Sequence, residues 1–168
     1  EDYSIYVDIY YTDGTYLWGQ TVNFDGGTTD WVCKSNSFLV PADKTVQQMN
    51  VHALYRNDPL DGTVYYDDVY VSVAPPISKI ENGSFETSYG WGAFGNGYDF
   101  VTSEAHSGTR SIVAYNYGGA QQVVSKEISG GSTVTFGGCS KSVGASTGLD
   151  EDYSIYVDIY YTDGTYLW

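Results

Sequence analysis

The sequence predicts an all-β protein built as a sandwich or a barrel, and three features of its 168 residues support this class. Several short segments alternate apolar and polar residues with the two-residue period of a half-buried strand. Gly and Asp recur between these segments, where hairpin turns need backbone conformations that other residues rarely adopt. No segment places apolar residues at the 3.6-residue period of an amphipathic helix, so helical and mixed classes are not expected.

The expected strands follow one another along the chain and are recognised by their alternation. In order they are YSIYVDIYY (3–11), QQMNVHALYR (47–56), GTVYYDDVYVSV (62–73), QQVVSKEI (121–128) and STVTFGGCSKSV (132–143). In the first strand Ile5, Val7 and Ile9 share one face, and the TDGT that follows predicts a hairpin turn. In the second strand the residues expected to face the core are Met49, Val51, Ala53 and Tyr55.

The first 18 residues, EDYSIYVDIYYTDGTYLW, recur without change as residues 151–168. An exact recurrence at a spacing of 150 residues predicts a tandem repeat with a unit of that length. Pro75-Pro76 is expected to separate two units, because proline is excluded from central strands and stiffens a linker. The predicted divisions are the C-terminal half of one unit (1–74), the linker (75–76), the N-terminal half of the next unit (77–150) and the start of a further half (151–168).

Two interpretations of this arrangement are open. The chain is one period of a tandem array with some overlap, which the mid-strand ends favour, or it is a closed circular permutant that carries one hairpin twice. In both cases the fold is expected to be circularly permuted relative to the natural repeat frame. Residues 1–18 and 151–168 would then compete for one strand position, and a neighbouring copy could fill a position left open.

The amino-acid composition limits the classes of binding partner and the cellular location that we expect. Seven Lys and Arg against 21 Asp and Glu give a net charge of −14, which disfavours nucleic acid and anionic membranes and attracts divalent cations. No apolar run approaches the ~20 residues that insert across a bilayer. Eighteen Tyr and 20 Gly suggest a secreted β-protein, at the cell surface or outside the cell. Cys33 and Cys139 are then either one disulfide or two reduced core thiols.

Several motifs form a recognisable pattern when they are taken in the order of the natural repeat unit. They are IENGSFE (80–86), Gly90-Trp91, AHSGTRSI (105–112), GGSTVTFGGCSKS (130–142), TTDWVCKSNSFLVPADKTVQQMNVHALYR (28–56) and GTVYYDDVYV (62–71). In this order the unit resembles the carbohydrate-binding module superfamily of the family 4/9/22 type, over nearly all of its length. The resemblance implies a β-sandwich with jelly-roll topology, in which Trp31 and Trp91 pack the core or its rim.

The resemblance also implies a structural calcium ion. In that family the opening Glu, the chain around the HSG turn and an Asp of the closing strand surround the ion. The matching positions are Glu86, Thr109 by its carbonyl oxygen, and Asp67 or Asp68. Ca²⁺ takes about six to eight oxygen ligands, and carboxylates and carbonyls supply them. The alternative is that Asp67 and Asp68 cap an exposed strand and that Glu86 is solvated.

A glycan-binding face is the next implication. Sugars bind to planar aromatic rings flanked by polar groups, and the residues opposite the core-facing ones on the first two strands have this composition. They are Tyr6, Asp8, Tyr10, Asn50, His52 and Arg56. The alternative is that these residues form ordinary cross-strand pairs on an exposed sheet. Asn82 begins an N-glycosylation sequon, NGS, although this tripeptide also opens the family's fold for structural reasons.

Catalysis is not expected. Asp67 and Asp68 are strand neighbours that point to opposite faces, so they cannot act as a paired acid and base. His52 and His106 lack the spacing of metal ligands, and no nucleophile elbow or phosphate loop is present. We therefore expect a non-catalytic structural repeat module of an extracellular filament, sheath or adhesin, with neighbouring copies as partners. The alternative is a carbohydrate-binding module that tethers a secreted enzyme or a cell to polysaccharide.

Overall fold

A computed structural model describes residues 9–10, 16–17, 20–56, 62–74, 77–125, 127–146 and 153–167. The regular structure in these ranges is all β, and two antiparallel sheets form an unclosed sandwich. The predicted all-β sandwich is therefore confirmed. No helix in the described ranges is long and apolar enough to cross a bilayer.

The strands of the described residues are numbered in chain order. They are β1 (Ile9–Tyr10), β2 (Tyr16–Leu17), β3 (Thr21–Asn23), β4 (Val32–Leu39), β5 (Thr45–Tyr55), β6 (Thr63–Val73), β7 (Ile77–Ser78), β8 (Gly92–Gly95), β9 (Asp99–Val101), β10 (Ser111–Ala114), β11 (Gly118–Val124), β12 (Ile128–Ser129), β13 (Thr133–Val143), β14 (Tyr153–Tyr161) and β15 (Tyr166–Leu167). The first sheet has the order β4-β13-β6-β10-β9, and β7 also pairs with β6. The second sheet has the order β15-β14-β5-β11-β8, and it also contains β12 beside β5 and β3 beside β14. β1 and β2 pair only with each other in the described residues.

The core consists of the inward side chains of the long strands. In β5 the inward residues are Met49, Val51, Ala53 and Tyr55, and all four are buried. The predicted inward face of this strand is therefore confirmed. The same prediction for Ile5, Val7 and Ile9 lies outside the described side chains.

The second copy of the repeated segment occupies a strand position inside the second sheet. β14 pairs with β5 along its whole length and with β3 and β15 on its other side. Its residues Ile155, Val157 and Ile159 are identical in type to Ile5, Val7 and Ile9, and they are fully buried. In the second copy, the alternation of the segment thus produces a core-facing strand.

The described strand residues of the two copies pair in the same register. In the first copy Ile9 lies opposite Leu17, and this pair joins β1 to β2. In the second copy Ile159 lies opposite Leu167, and this pair joins β14 to β15. The register of these strand pairs is therefore identical in the two copies.

Gly138 allows the two sheets to approach each other closely. A Cβ atom at this position would lie 2.6 Å from Cδ1 of Ile155 in the opposite sheet and 3.0 Å from Cα of Val69. Larger residues would push the sheets apart, because close-packed interiors have little free space. The pairing of β13 with β6 also shifts register between Gly137 and Cys139, as at a β-bulge. Packing therefore explains the glycine at position 138 of TFGGCSKS.

Candidate functional site

The outer face of the second sheet brings together polar and aromatic side chains from four strands. His52 lies opposite Tyr156 on one side and opposite Gln121 on the other. In the next row Asn50 lies opposite Asp158. We call this surface the ligand face, and its residues are Gln48, Asn50, His52, Phe94, Gln121, Tyr156, Asp158 and Tyr160.

Polar contacts cross the ligand face from strand to strand. Gln48 Nε2 donates to Asn50 Oδ1 at 3.0 Å, and Asn50 Nδ2 donates to the Tyr160 hydroxyl at 3.3 Å. His52 Nε2 lies 3.3 Å from Asp158 Oδ2. Burial raises the pKa of Tyr160, and the nearby Asp158 charge raises it further, so this hydroxyl keeps its proton at neutral pH. The face therefore offers oriented neutral donors and acceptors together with one carboxylate.

Aromatic rings form a series across the same surface. The ring centroid of His52 lies 5.5 Å from that of Phe94 and 5.0 Å from that of Tyr156, both in edge-to-face geometry. Tyr117 extends the series beyond Phe94 at 6.1 Å, and Tyr160 lies near Tyr166 at 6.3 Å. Edge-to-face pairs favour well-defined ring orientations. The rings are thus positioned by one another as well as by their strands.

Within the described ranges, two buried polar atoms on the ligand face have no hydrogen-bond partner. They are Nδ1 of His52, a residue that is 6% exposed, and Oδ1 of Asp158, a residue that is 8% exposed. Leaving a buried polar group without a partner costs about 1–3 kcal/mol, and folded proteins contain few such groups. Both atoms are inaccessible to solvent, so a molecule bound on this surface could reach them only if the neighbouring side chains moved.

A groove of about 390 Å³ lies on the ligand face. The amide side chains of Gln48, Asn50 and Gln121 line it, together with the backbone at Gly90 and Gly92. Amides can donate and accept at the same time, which suits ligands rich in hydroxyl groups. Val123 also lines the groove, so its walls combine neutral amides with an apolar side chain and carry no charge.

Gln122 fixes the loop that forms the wall of this groove. Its Nε2 donates to the carbonyl oxygens of Glu81 at 2.9 Å and Gly90 at 2.8 Å. Its Oε1 accepts a hydrogen bond from the Glu81 amide at 2.8 Å. Gln122 is itself buried and points to the core side of β11, away from its neighbour Gln121. The loop from Glu81 to Gly90 is thus attached to the sheet by three hydrogen bonds from one side chain.

The predicted glycan-binding residues divide into two groups. Asn50 and His52 lie on the ligand face, and Arg56 follows the end of β5 beyond the buried Leu54. Tyr6 and Asp8 lie outside the described residues, as does the side chain of Tyr10. Their equivalents in the second copy supply the tyrosines and the aspartate of the face, namely Tyr156, Asp158 and Tyr160.

Other residues of the ligand face were missed by reasoning from the sequence. Gln48 and Gln121 lie in predicted strands, and their alternation with buried neighbours was a usable signal. Phe94 stands in the glycine-rich stretch WGAFG, which shows no alternation. The sequence therefore carried no signal for Phe94.

The residues expected around calcium lie near one turn, and their carboxylates bind backbone amides there. Oε1 of Glu86 accepts from the amides of Thr109 and Arg110 at 2.9 and 3.0 Å, and Oε2 accepts from the Thr109 hydroxyl. These hydrogen bonds from Thr109 and Arg110 lower the pKa of Glu86. Oδ2 of Asp67 accepts from the amides of His106 and Ser107. The two carboxylates therefore hold the turn of residues 106–110 against Glu86 and against Asp67 in β6.

The pKa of Asp67 is raised by its burial, although the amides of Ser107, Asp68 and His106 oppose this shift. Asp68 accepts from the Ser107 hydroxyl at 2.8 Å and lies 2.8 Å from Nδ1 of His106. The carboxylate oxygens of Asp67, Asp68 and Glu86 do not all lie within 4.8 Å of one another. Calcium at these residues and Thr109 would need most of these hydrogen bonds to be rearranged, and it stays a prediction.

Cys33 and Cys139 lie directly opposite each other on β4 and β13 and form a disulfide. This is one of the two states that the sequence left open. An oxidising compartment is the usual setting for such a bond, and the support that it gives to an extracellular location is weak.

Asn82 and Trp91 shape the loop that opens the predicted repeat unit. Asn82 Nδ2 donates to the carbonyl oxygens of Thr87 and Tyr89, and its Oδ1 accepts from the Thr87 amide. Trp91 is buried against Phe85, and its indole nitrogen donates to the Asn82 carbonyl oxygen. The NGS tripeptide thus has a structural role, and glycosylation at Asn82 stays a prediction.

Comparison of the chain with models of protein families, with curated proteins and with solved structures gave no match. The resemblance to carbohydrate-binding modules therefore depends on the motifs quoted above and on the all-β sandwich. Jelly-roll topology and circular permutation stay predictions.

Proposed function

We propose that this chain is a non-catalytic structural repeat module of an extracellular filament, sheath or adhesin. One observation carries the proposal: the chain contains two identical segments for a single strand position of the second sheet. β14 occupies this position, and residues 3–11 carry the same side chains in the same order. Either copy has the chemistry to complete a sandwich.

Exchange of this strand would join neighbouring modules without a new interface. Each fully buried aliphatic side chain of β14 contributes about 1.5–3 kcal/mol, and any chain that inserts the same segment recovers that contribution. Exchange of an identical element is a low-cost route to assembly. The net charge of −14 keeps modules that are joined in this way hydrated.

Deletion of residues 1–18 tests this proposal. The deletion removes β1 and β2, which pair only with each other in the described residues, so the sandwich itself is expected to stay folded. We expect the full chain to form oligomers that grow with concentration in analytical ultracentrifugation, and the deletion variant to remain smaller. Equal oligomer distributions for the two proteins would contradict strand exchange.

Electron microscopy of the natural array, with calcium and after chelation, then examines the assembly itself. Fibres with a regular axial repeat support the structural role. Their loss on chelation would place calcium at the joints between modules. Separate single-module particles in both conditions would contradict the filament.

Carbohydrate binding is the second candidate function, and the groove on the ligand face favours it. The face combines aromatic rings with neutral amides, which suits stacking against sugar rings and hydrogen bonding to hydroxyls. The ligand of this site would be a neutral polysaccharide. The two proposed functions are compatible, because an adhesive array can present such a face on every module.

Alanine substitutions in the two copies of the repeated segment provide a matched test of the ligand face. Tyr156→Ala and Tyr160→Ala are each expected to weaken polysaccharide binding by about tenfold or more. A tenfold loss corresponds to about 1.4 kcal/mol of binding free energy, which the missing ring contact would account for. Tyr6→Ala and Tyr10→Ala change the same residue types outside β14, so binding should be kept. Calorimetric titration with soluble polysaccharides measures both sets. Unchanged binding in the Tyr156→Ala and Tyr160→Ala variants would exclude this face as the site, whereas equal losses in the two copies would mean that both copies enter the strand position.

A further inference from the structure

A histidine and a carboxylate lie against the Cys33–Cys139 pair. Nε2 of His106 is 3.4 Å from Sγ of Cys33, and Nδ1 of the same ring is 2.8 Å from Oδ2 of Asp68. The ligand atoms of Cys33, His106 and Cys139 all lie within 4.8 Å of one another. Among the described residues, no other group of three His, Cys, Asp or Glu side chains has its ligand atoms so close together.

These distances match the edges of a tetrahedral zinc site. With Zn–S bonds of about 2.3 Å and Zn–N bonds of about 2.0–2.1 Å, a tetrahedral angle separates nitrogen from sulfur by about 3.5 Å. The His106–Cys33 separation is therefore already that of two ligands on one ion. Cys139 is directly opposite Cys33, with 4.0 Å between their Cα atoms. When the sulfurs are not bonded to each other, side-chain rotation can bring them to the sulfur–sulfur edge of about 3.8 Å.

Asp68 fixes the orientation of the His106 ring, as a histidine ligand of a metal ion requires. Metal-bound histidines usually donate their other ring nitrogen to a carboxylate, which fixes the tautomer and the ring orientation. The hydrogen bond between His106 Nδ1 and Asp68 leaves the lone pair of Nε2 directed at the sulfurs. The Ser107 hydroxyl holds the other Asp68 oxygen, so the carboxylate is itself positioned. The ring plane is further supported by Trp31, whose ring centroid is 5.7 Å away.

A cavity of about 240 Å³ gives access to this site from solvent. Both cysteines and Asp68 line it, and Cys33 is exposed while Cys139 is buried. A water molecule or an external group could therefore take the fourth position on an ion. Three protein ligands with one open position are typical of zinc sites that exchange a ligand.

We propose that the reduced form of this protein binds Zn²⁺ through Cys33, Cys139 and His106, with Asp68 as a positioning residue. A dithiol reductant breaks the Cys33–Cys139 bond; the reductant is oxidised to its own disulfide, and its two protons pass to the cysteine sulfurs. Zn²⁺ then displaces these two protons to solvent and binds both thiolates. The disulfide and the zinc site are mutually exclusive states of one location, so the redox state of the surroundings selects between them. This inference does not depend on the function proposed above.

Cobalt is a suitable probe, because thiolate-bound Co²⁺ shows charge-transfer absorption in the near ultraviolet. The full chain is reduced with a phosphine, which leaves no competing thiol, and is then titrated with Co²⁺ and back-titrated with Zn²⁺. We expect the absorption in the reduced protein and its loss on addition of Zn²⁺, with no absorption in the oxidised protein. Binding without charge-transfer absorption would show that neither thiolate binds the ion and would overturn the proposal.

Variants separate the ligands from the rest of the chain. His106→Ala is expected to abolish tight binding, and Asp68→Asn to weaken it about 10–100-fold. Glu127→Gln changes an exposed carboxylate outside this cluster and should leave cobalt binding unchanged. A His106→Ala variant that binds as tightly as the parent protein would overturn the site.

Alkylation of Cys33 provides a second measurement in case a variant folds poorly. Zn²⁺ is expected to protect this exposed thiol from iodoacetamide in the reduced parent protein, as followed by mass spectrometry. Equal alkylation with and without Zn²⁺ would also overturn the proposal.

Discussion

Ile155→Ala is expected to lower the free energy of unfolding by about 2–5 kcal/mol, whereas Ile5→Ala should change it little. The two isoleucines stand at the same position of identical 18-residue segments, so local sequence effects cancel in the comparison. Ile155 is fully buried in β14, and its truncation would leave a cavity between the sheets. Urea denaturation of both variants measures the difference.

The pair of isoleucine variants also reports which copy occupies the sheet. Equal destabilisation by Ile5→Ala and Ile155→Ala would mean that both copies enter the strand position in comparable fractions of molecules. A larger effect of Ile5→Ala would contradict the arrangement described for β14. A double variant that loses no more stability than Ile155→Ala alone would show that the first copy is not used.

Gln122→Ala is expected to destabilise the fold by about 2–4 kcal/mol, because three backbone groups of the loop lose their hydrogen-bond partner. Gln121→Ala is the matched control, since the neighbouring glutamine points outward and makes a single hydrogen bond, to the Ala93 carbonyl oxygen. Its cost should stay below about 1 kcal/mol. Thermal unfolding followed by circular dichroism compares the two, and a larger effect of Gln121→Ala would contradict the anchoring role of Gln122.

Variants at these two glutamines also distinguish an effect on the stability of the fold from an effect on polysaccharide binding. Gln121 lines the groove, so its loss should affect polysaccharide binding more than unfolding. Gln122 supports the loop behind the groove, so its loss should affect both.

The parts of the fold that were predictable from the sequence are those in which one face of a strand is buried. Alternation in β5 identified Met49, Val51 and Ala53 as core residues because a strand has a period of two. The same period assigned Asn50 and His52 to the outer face. Sheet order was not predictable, since pairing between strands distant in sequence depends on contacts that no local pattern encodes.

The candidate site was predictable only where it follows from strand alternation. The repeated segment indicated the correct side chains for the ligand face, but identical sequences give no means of choosing between Tyr6 and Tyr156. The polar contacts of Asp68 with His106 bring together residues 38 positions apart, and only the folded turn shows them. The approach of His106 to Cys33, 73 positions away, has the same origin.

The hairpin register shared by the two copies has a bearing on how an array of such modules would fold. Ile9 pairs with Leu17, and Ile159 with Leu167, in different surroundings, so the segment sets its own register. Hairpins of this kind close within about 1–10 μs, well before sheets assembled from distant strands. Each repeat would then begin folding at its own hairpin, independently of its neighbours. The folding time of an array should accordingly stay nearly constant as repeats are added.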